Sequence, residues 1–166
     1  MHPADFILAI LAALPGQKIK GKKRLQKLAF FLGQAGAKCN AAFQIRDFGP
    51  FSPEIANAAK LLVATGKIDE SEEPVGASNT YVTIYKLKPG AEQKLKQLNP
   101  KYQKILKSLE KYPTLDLEVA ATILFFESMG LRSDAAIRKT KELKPTKTSA
   151  QILKRVPAIT ECLRVA

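Results

Sequence analysis

Histidine and cysteine are scarce in this sequence. The 166 residues include one histidine, His2, and two cysteines, Cys39 and Cys162. Two cysteines are too few for a disulfide framework or for a zinc site built from cysteine and histidine. We therefore expect no metal and no other cofactor, and we interpret the cysteines as idle thiols of a protein in a reducing compartment.

The side-chain combinations that catalysis requires are also missing from the sequence. Hydrolysis or phosphoryl transfer requires a nucleophile beside its base, a pair of carboxylates or a phosphate-binding loop. The single histidine lies near the N-terminus, the sequence has no G-x-x-x-x-G-K-[ST] loop, and the densest acids fall together in residues 69–73. We predict that the protein is not an enzyme and has no catalytic residue.

Long apolar runs are absent too. The apolar run at residues 6–14 (FILAILAAL) is far shorter than the roughly 20 residues that a membrane-spanning helix needs. It follows Asp5 rather than the basic residues that precede the apolar part of a signal peptide. We predict that this run is a buried first helix, that the protein makes no contact with a membrane, and that it is cytoplasmic.

Acidic residues are outnumbered by basic ones. Lysine and arginine total 27 against 15 aspartate and glutamate, which gives a formal net charge of +12 and a pI of about 9.8. Residues 18–38 contain basic side chains and no acid. A field of this sign favours anionic partners such as nucleic acid. The competing interpretation is a solvated lysine face beside the apolar stripe of a helix.

Two helices and a short strand are predicted in the first forty residues. Pro15 and Gly16 end the first helix, and residues 17–20 can pair as a small strand. Leucines at helical spacing predict a second helix at residues 22–35. A short extended segment with Phe43, Ile45 and Phe48 follows, and it ends in a Phe-Gly-Pro turn.

A third helix and a β-hairpin come next. Ser52 is the predicted N-cap of this helix, the following Pro-Glu pair suits a helix start, and Gly66 ends it. One strand is predicted to begin at Ile68, and residues 80–87 (TYVTIYKL) are rich in β-formers. The polar stretch 69–79 between them predicts a hairpin with a long tip.

The remainder of the chain is predicted to be helical. Apolar residues alternate steps of three and four, which is a heptad seam: Ala91, Leu95, Leu98, Tyr102, Ile105, Leu109 and Tyr112. This seam either closes the core of the monomer or forms a homodimer interface.

Three further helices are predicted beyond the seam. A strongly apolar helix is expected at residues 115–129, and Ser133 is expected to cap a shorter one. Thr148 with Gln151 matches a capping box at the start of the last helix.

The order of these elements is that of a winged helix. We predict a mainly α fold: a winged helix-turn-helix with a small β-hairpin wing, plus a C-terminal helical extension. The predicted division places the winged-helix domain at residues 1–98 and the helical extension, packed on it, at residues 99–166. No linker rich in glycine and serine separates the two parts.

Two motifs resemble those of known proteins. The helix segment 24–28 (RLQKL), followed by the turn at 48–56 (FGPFSPEIA), looks like YwgA-like proteins and the wider set of Panacea-domain proteins. Leu87 and Gly90 after the hairpin match the Leu-Thr-x-x-Gly pattern of many winged-helix regulators, with Lys88 in place of the threonine. The resemblance covers residues 21–95, and it implies a winged-helix fold and a regulatory role rather than a reaction.

A candidate DNA-binding set follows from this fold. Double-stranded DNA is the predicted partner, contacted by basic residues of the second helix and polar residues of the third. The candidates are Lys22, Lys23, Arg24, Lys27, Ser52, Asn57 and Lys60.

Two features argue against sequence-specific DNA binding. Four acids stand in the wing at residues 69–73, and about 15 residues separate the second and third helices where a DNA reader has a short turn. The alternative is a protein-interaction module, antitoxin-like, that has kept the fold without sequence-specific DNA binding. Association with RNA through the lysine-rich tail is a third possibility.

Overall fold

The structure, a computed structural model, describes residues 1–77, 79–91 and 97–164. Seven α-helices lie in these ranges: α1 (Pro3–Ala13), α2 (Lys22–Gln34), α3 (Pro53–Ala64), α4 (Pro100–Leu109), α5 (Thr114–Ser128), α6 (Ser133–Leu143) and α7 (Ala150–Glu161). Five strands accompany them: β1 (Lys18–Lys20), β2 (Gln44–Arg46), β3 (Gly49–Phe51), β4 (Ile68–Pro74) and β5 (Tyr81–Leu87). The predicted mainly α class therefore fits in outline, because helices dominate and the sheets are small and antiparallel.

The larger sheet joins the predicted short strand to the hairpin. Its order is β1-β5-β4, with Ile19 opposite Tyr85 and Ile68 opposite Leu87. These four side chains are buried, so the sheet closes one side of the core. The sheet thus pairs the strand that follows α1 with the hairpin that follows α3.

The hairpin of this sheet is longer than the sequence predicts. The segment 69–79 was expected to be a loop, yet β4 continues to Pro74 and Glu73 pairs with Val82. The error has a physical reason: β4 lies at the sheet edge, and every residue after Ile68 is exposed. An edge strand that buries no alternate side chain shows no apolar alternation in its sequence.

A second, two-stranded sheet was not predicted as such. β2 pairs with β3, with Ile45 opposite Pro50 and Arg46 opposite Gly49, so Asp47 and Phe48 form the tip. Strands of three residues are too short to carry a detectable hydrophobic period.

One helix lies at the centre of the packing. α5 contacts α2, α6, α7 and β3, and its residues from Asp116 to Ile123 are all buried. Because neighbours surround it, α5 is apolar on several sides rather than along one stripe. The helical tail and the first half of the chain therefore share one hydrophobic core.

Helix starts test the capping predictions directly. Ser52 is the N-cap of α3 and accepts a hydrogen bond from the Ile55 amide at 3.3 Å, as predicted. The prediction for α7 is wrong by one residue, because Ser149 and not Thr148 accepts from the first turn. The prediction for α6 is also wrong: Ser133 is already helical, and its hydroxyl donates to Glu127.

The heptad seam is internal where the structure describes it. Leu98, Ile105 and Leu109 are buried in the core of the monomer, whereas Leu95 lies outside the described residues. Side chains that already fill the core cannot also form an interface with a second copy. The core alternative is therefore confirmed for these three positions. A homodimer through other parts of the C-terminal helices stays a hypothesis.

Candidate functional site

The predicted DNA contact Arg24 is a structural residue. Its guanidinium, which is buried against the end of α4, donates to the carbonyls of Tyr112 at 2.9 Å, Glu110 at 3.0 Å and Leu109 at 3.4 Å. The last carbonyls of a helix have no partner within it and carry a partial negative charge. Arg24 therefore fastens α2 to α4, and the structure removes it from the DNA-binding set.

Lys27 and Ser52 are also turned inward, which corrects two more of the predicted contacts. The Lys27 ammonium donates to the carbonyl of Pro50 at 2.7 Å, and the side chain is 1% exposed. The Gln26 amide exchanges two hydrogen bonds with the backbone of Ser52, at 3.0 and 2.9 Å. Two adjacent residues of α2, Gln26 and Lys27, thus hold β3 and the N-cap of α3 in place.

A buried ion pair contacts the tip of the same hairpin. Glu118 of α5 accepts from Lys144 at 2.7 Å and from Lys147 at 3.0 Å. The side chains of Glu118 and Lys144 are 3% and 1% exposed. Lys144 also donates to the carbonyl of Asp47, at 2.6 Å. The tip of the β2–β3 hairpin is thereby tied to the helical tail.

Gly49 lies close to α5. Its φ is +81°, in the region that favours glycine. A Cβ at this position would lie 2.5 Å from the hydroxyl oxygen of Thr122. Packing thus requires glycine at position 49, because no larger residue fits between β3 and α5.

The cations outnumber the anion in this buried region. Burial lowers the pKa of Lys27 to about 8, an effect that Glu118 opposes and the charge of Lys144 reinforces. Burial also disfavours the ionised form of Glu118, but the hydrogen bonds from Lys144 and Lys147 outweigh it and lower the pKa of Glu118. One carboxylate therefore serves several ammonium groups, and the region remains electropositive.

The other four predicted contacts face outward. Lys22 is exposed and pairs with Glu70 of β4 at 2.8 Å. The Lys23 ammonium lies 3.4 Å from the centre of the Phe48 ring, a cation–π geometry. Asn57 and Lys60 are exposed on α3. These four residues remain accessible to a partner.

A groove separates α2, the β2–β3 hairpin and α3. Its volume is about 460 Å³. The described residues that line it include Lys22, Lys23, Lys27 and Lys60 from the predicted set, together with Leu25, Gln26, Arg46, Asp47, Phe48, Gly49, Phe51, Ala56, Ala59 and Tyr85. The structure therefore brings the basic start of α2 to the same side as Lys60 of α3, while Asn57 is not part of the lining.

The acids of β4 have partners nearby. Glu73 pairs with Lys20 at 3.2 Å, and Asp69 pairs with Lys88 at 3.1 Å. Together with the Glu70 pair of Lys22, these contacts neutralise most of the acidic stretch that argued against an anionic partner. They also engage lysines that the sequence counts as free positive charge.

Sequence reasoning missed Arg46 and Lys147. Arg46 of β2 lies over the Phe51 ring at 4.8 Å, and the Lys147 ammonium lies 4.7 Å from the Phe48 ring. Lys147 is nearly a hundred positions from this ring, and no local signal connects them.

The comparisons with known proteins identify no relative: no family model, no curated protein and no solved structure matches the chain. The likeness to Panacea-domain proteins therefore stays a prediction. None of the described helices is long and apolar enough to cross a membrane. Within the same residues, no three histidine, cysteine or acidic side chains come together as a metal site would require.

Proposed function

We propose that the protein is a DNA-binding transcriptional regulator of winged-helix type. The element order α1-β1-α2-α3-β4-β5 and the sheet order β1-β5-β4 agree with this interpretation. In such a fold α3 enters the major groove, and the start of α2 contacts the phosphate backbone. The inserted β2–β3 hairpin lies between these helices in the chain and contributes Arg46 to their basic side.

The convergence of exposed cations beside α3 is the observation that carries this proposal. Lys23, Arg46 and Lys60 come from three different elements, and all three border the same groove. α3 packs on α1, α2 and β4 and leaves Asn57 and Lys60 exposed. Phosphate contacts require such accessible cations, and the net charge of +12 on the whole chain would add long-range attraction.

Salt-dependent binding to duplex DNA tests the proposal. We would measure fluorescence anisotropy of a labelled random duplex with the wild type and with the triple variant Lys23→Gln, Arg46→Gln, Lys60→Gln. The wild type should bind with a log–log salt slope of about −0.9 per neutralised phosphate. The variant should bind about tenfold more weakly at 0.1 M salt, with a shallower slope.

A charge-matched variant provides the control. Lys104→Gln, Lys107→Gln and Lys139→Gln remove the same net charge from exposed positions of α4 and α6. This control should retain most of the affinity and the slope. Equal losses in the two triple variants would contradict the groove side as the docking face, and no binding by the wild type at low salt would remove the function.

A protein partner is the second candidate, and an exposed leucine on α3 favours it. Leu61 is 52% exposed and follows Lys60 on the outer side of the helix. An exposed helix face with one large apolar side chain and few base-reading groups suits a protein groove as well as DNA. In this alternative the fold is the same, but the partner is a protein instead of DNA.

The leucine also supplies the test of this alternative. Quantitative affinity purification after nuclease treatment should recover a partner with the wild type and lose it with Leu61→Asp. Leu143→Asp, at a comparably exposed leucine on α6, should retain that partner. Recovery that is unaffected by Leu61→Asp would count against α3 as the interacting helix.

A further inference from the structure

The groove beside α3 combines an apolar interior with a basic rim. Side chains of Leu25, Phe51, Ala56 and Ala59 contribute its apolar surface. Its volume of about 460 Å³ falls within the range of roughly 300–1,000 Å³ found for small-molecule sites. Dimensions and chemistry of this kind suit an organic molecule better than a bare inorganic ion, which gains nothing from apolar walls.

The rim carries a charge excess that the protein does not neutralise. Lys23, Arg46 and Lys60 are exposed at the groove, and among the described lining residues Asp47 is the one acid. Lys27 adds an ammonium in the wall, where it donates to the carbonyl of Pro50. An ammonium has three donors, so Lys27 retains hydrogen-bonding capacity. An anion at the rim would meet several cations at once.

Aromatic rings lie next to two of these cations. The Lys23 ammonium is 3.4 Å from the centre of the Phe48 ring, and the Arg46 guanidinium is 4.8 Å from that of Phe51. A ligand with an aromatic or aliphatic body can therefore contact the rings and reach the cations with its acidic end.

We propose that this groove binds a small amphipathic organic anion, with its apolar body between the β2–β3 hairpin and α3 and its acidic group at Lys23, Arg46 and Lys60. The inference does not rest on DNA binding. It does predict that such a ligand and a DNA backbone would compete for the same cations.

Two dyes with the same aromatic skeleton, one with a sulfonate group and one without, distinguish an anion site from a general apolar surface. The probes are 8-anilinonaphthalene-1-sulfonate and the uncharged N-phenyl-1-naphthylamine, each titrated by fluorescence into the full chain without DNA. We expect one sulfonate dye per chain, bound about tenfold more tightly than the neutral dye. Equal affinities for the two dyes would overturn the proposal.

Variants of the groove locate the bound dye. Ala56→Phe should fill the apolar space and abolish binding of both dyes. Lys60→Gln, an exposed position that the fold does not need, should weaken the sulfonate dye about threefold and leave the neutral dye unchanged. Lys104→Gln on α4 is the matched control and should change neither.

The outcomes separate this proposal from the DNA-binding one. Sulfonate binding of unchanged affinity in both Ala56→Phe and Lys60→Gln, or no saturable binding of the sulfonate dye to the wild type, would overturn the groove as an anion site. Circular dichroism of each variant verifies folding, and Lys60→Gln remains informative if Ala56→Phe is unfolded. Loss of DNA binding in the anisotropy experiment would leave these dye results unaffected.

Discussion

The two faces of α2 use the same kind of side chain for opposite purposes. Lys22 and Lys23 face outward: Lys22 pairs with the carboxylate of Glu70 in β4, and Lys23 lies over the ring of Phe48. Arg24 and Lys27 face inward. Arg24 donates to the carbonyl of Tyr112, just after α4, and Lys27 donates to the carbonyl of Pro50 in β3. A basic run in a sequence is therefore not one functional surface, because helical geometry sends part of it into the protein.

The inward cations have anionic or carbonyl partners that are also buried, and the outward ones face solvent. The buried set therefore should control stability, whereas the exposed set should control binding to an anion. Lys144 with Glu118 represents the first set, and Lys23 with Lys60 represents the second. The following variants test this division.

Lys144→Met should have the largest effect on stability. It leaves Glu118 buried with only the more exposed Lys147 as partner, and breaking a buried pair from one side costs about 4 kcal/mol. Lys147→Met is the matched control, and its cost should be about 1 kcal/mol. Urea unfolding of the two variants gives both values. Equal losses would show that Lys144 has no special role in holding the turn.

Gly49→Ala should have the second-largest effect on stability. The new Cβ would meet the Thr122 hydroxyl at 2.5 Å and would also carry the strain of a positive φ, so we expect a loss of about 3 kcal/mol. Gly66→Ala has a similar φ of +66° but no atom within 4 Å, and it should lose about 1 kcal/mol. The difference in free energy of unfolding isolates the close approach to α5. Similar losses would contradict it.

The pH dependence of stability should reveal the lowered pKa of Lys27. Its pKa is about 8 in the folded protein and near 10.5 when the chain is unfolded. Between these values the unfolded chain binds more protons, so stability rises with pH. The free energy of unfolding of the wild type should gain about 2 kcal/mol from pH 7 to pH 10 relative to Lys27→Met. A constant difference across this range would show that Lys27 is not desolvated.

Lys23→Gln and Lys60→Gln should have the smallest effect on stability. Both side chains are exposed, and we expect changes within about 0.5 kcal/mol in the free energy of unfolding. The same variants are expected to weaken binding to the anionic probes described above. A larger stability loss would place these lysines with the buried set and would contradict the division between buried and exposed cations.

Local signals in the sequence identified most helices and one cap. Ser52 was recognised as the N-cap of α3 because the hydroxyl and the amide that it accepts from are three residues apart. The position of α2 followed from its leucine spacing. The caps of α6 and α7 were placed wrongly because neighbouring Ser, Thr and Arg residues offered several starts within one turn.

The candidate site was predicted only in part. Lys22, Lys23, Asn57 and Lys60 are exposed as the interpretation required, whereas Arg24, Lys27 and Ser52 are buried. The apolar positions of α2 do not reveal this, because every residue from Arg24 to Leu32 is buried. A helix covered on several sides by neighbours has no single polar face to read from its sequence.

The sequence by itself determined the excess of positive charge, the helical periodicities and the start of α3, since each depends on composition or on residues a turn apart. Only the tertiary structure decided which cations are buried and which border the groove. Lys144 meets the carbonyl of Asp47 across 97 positions of the chain. Contacts at such separation depend on how α5 and α6 pack against the hairpin, and no local pattern encodes that packing.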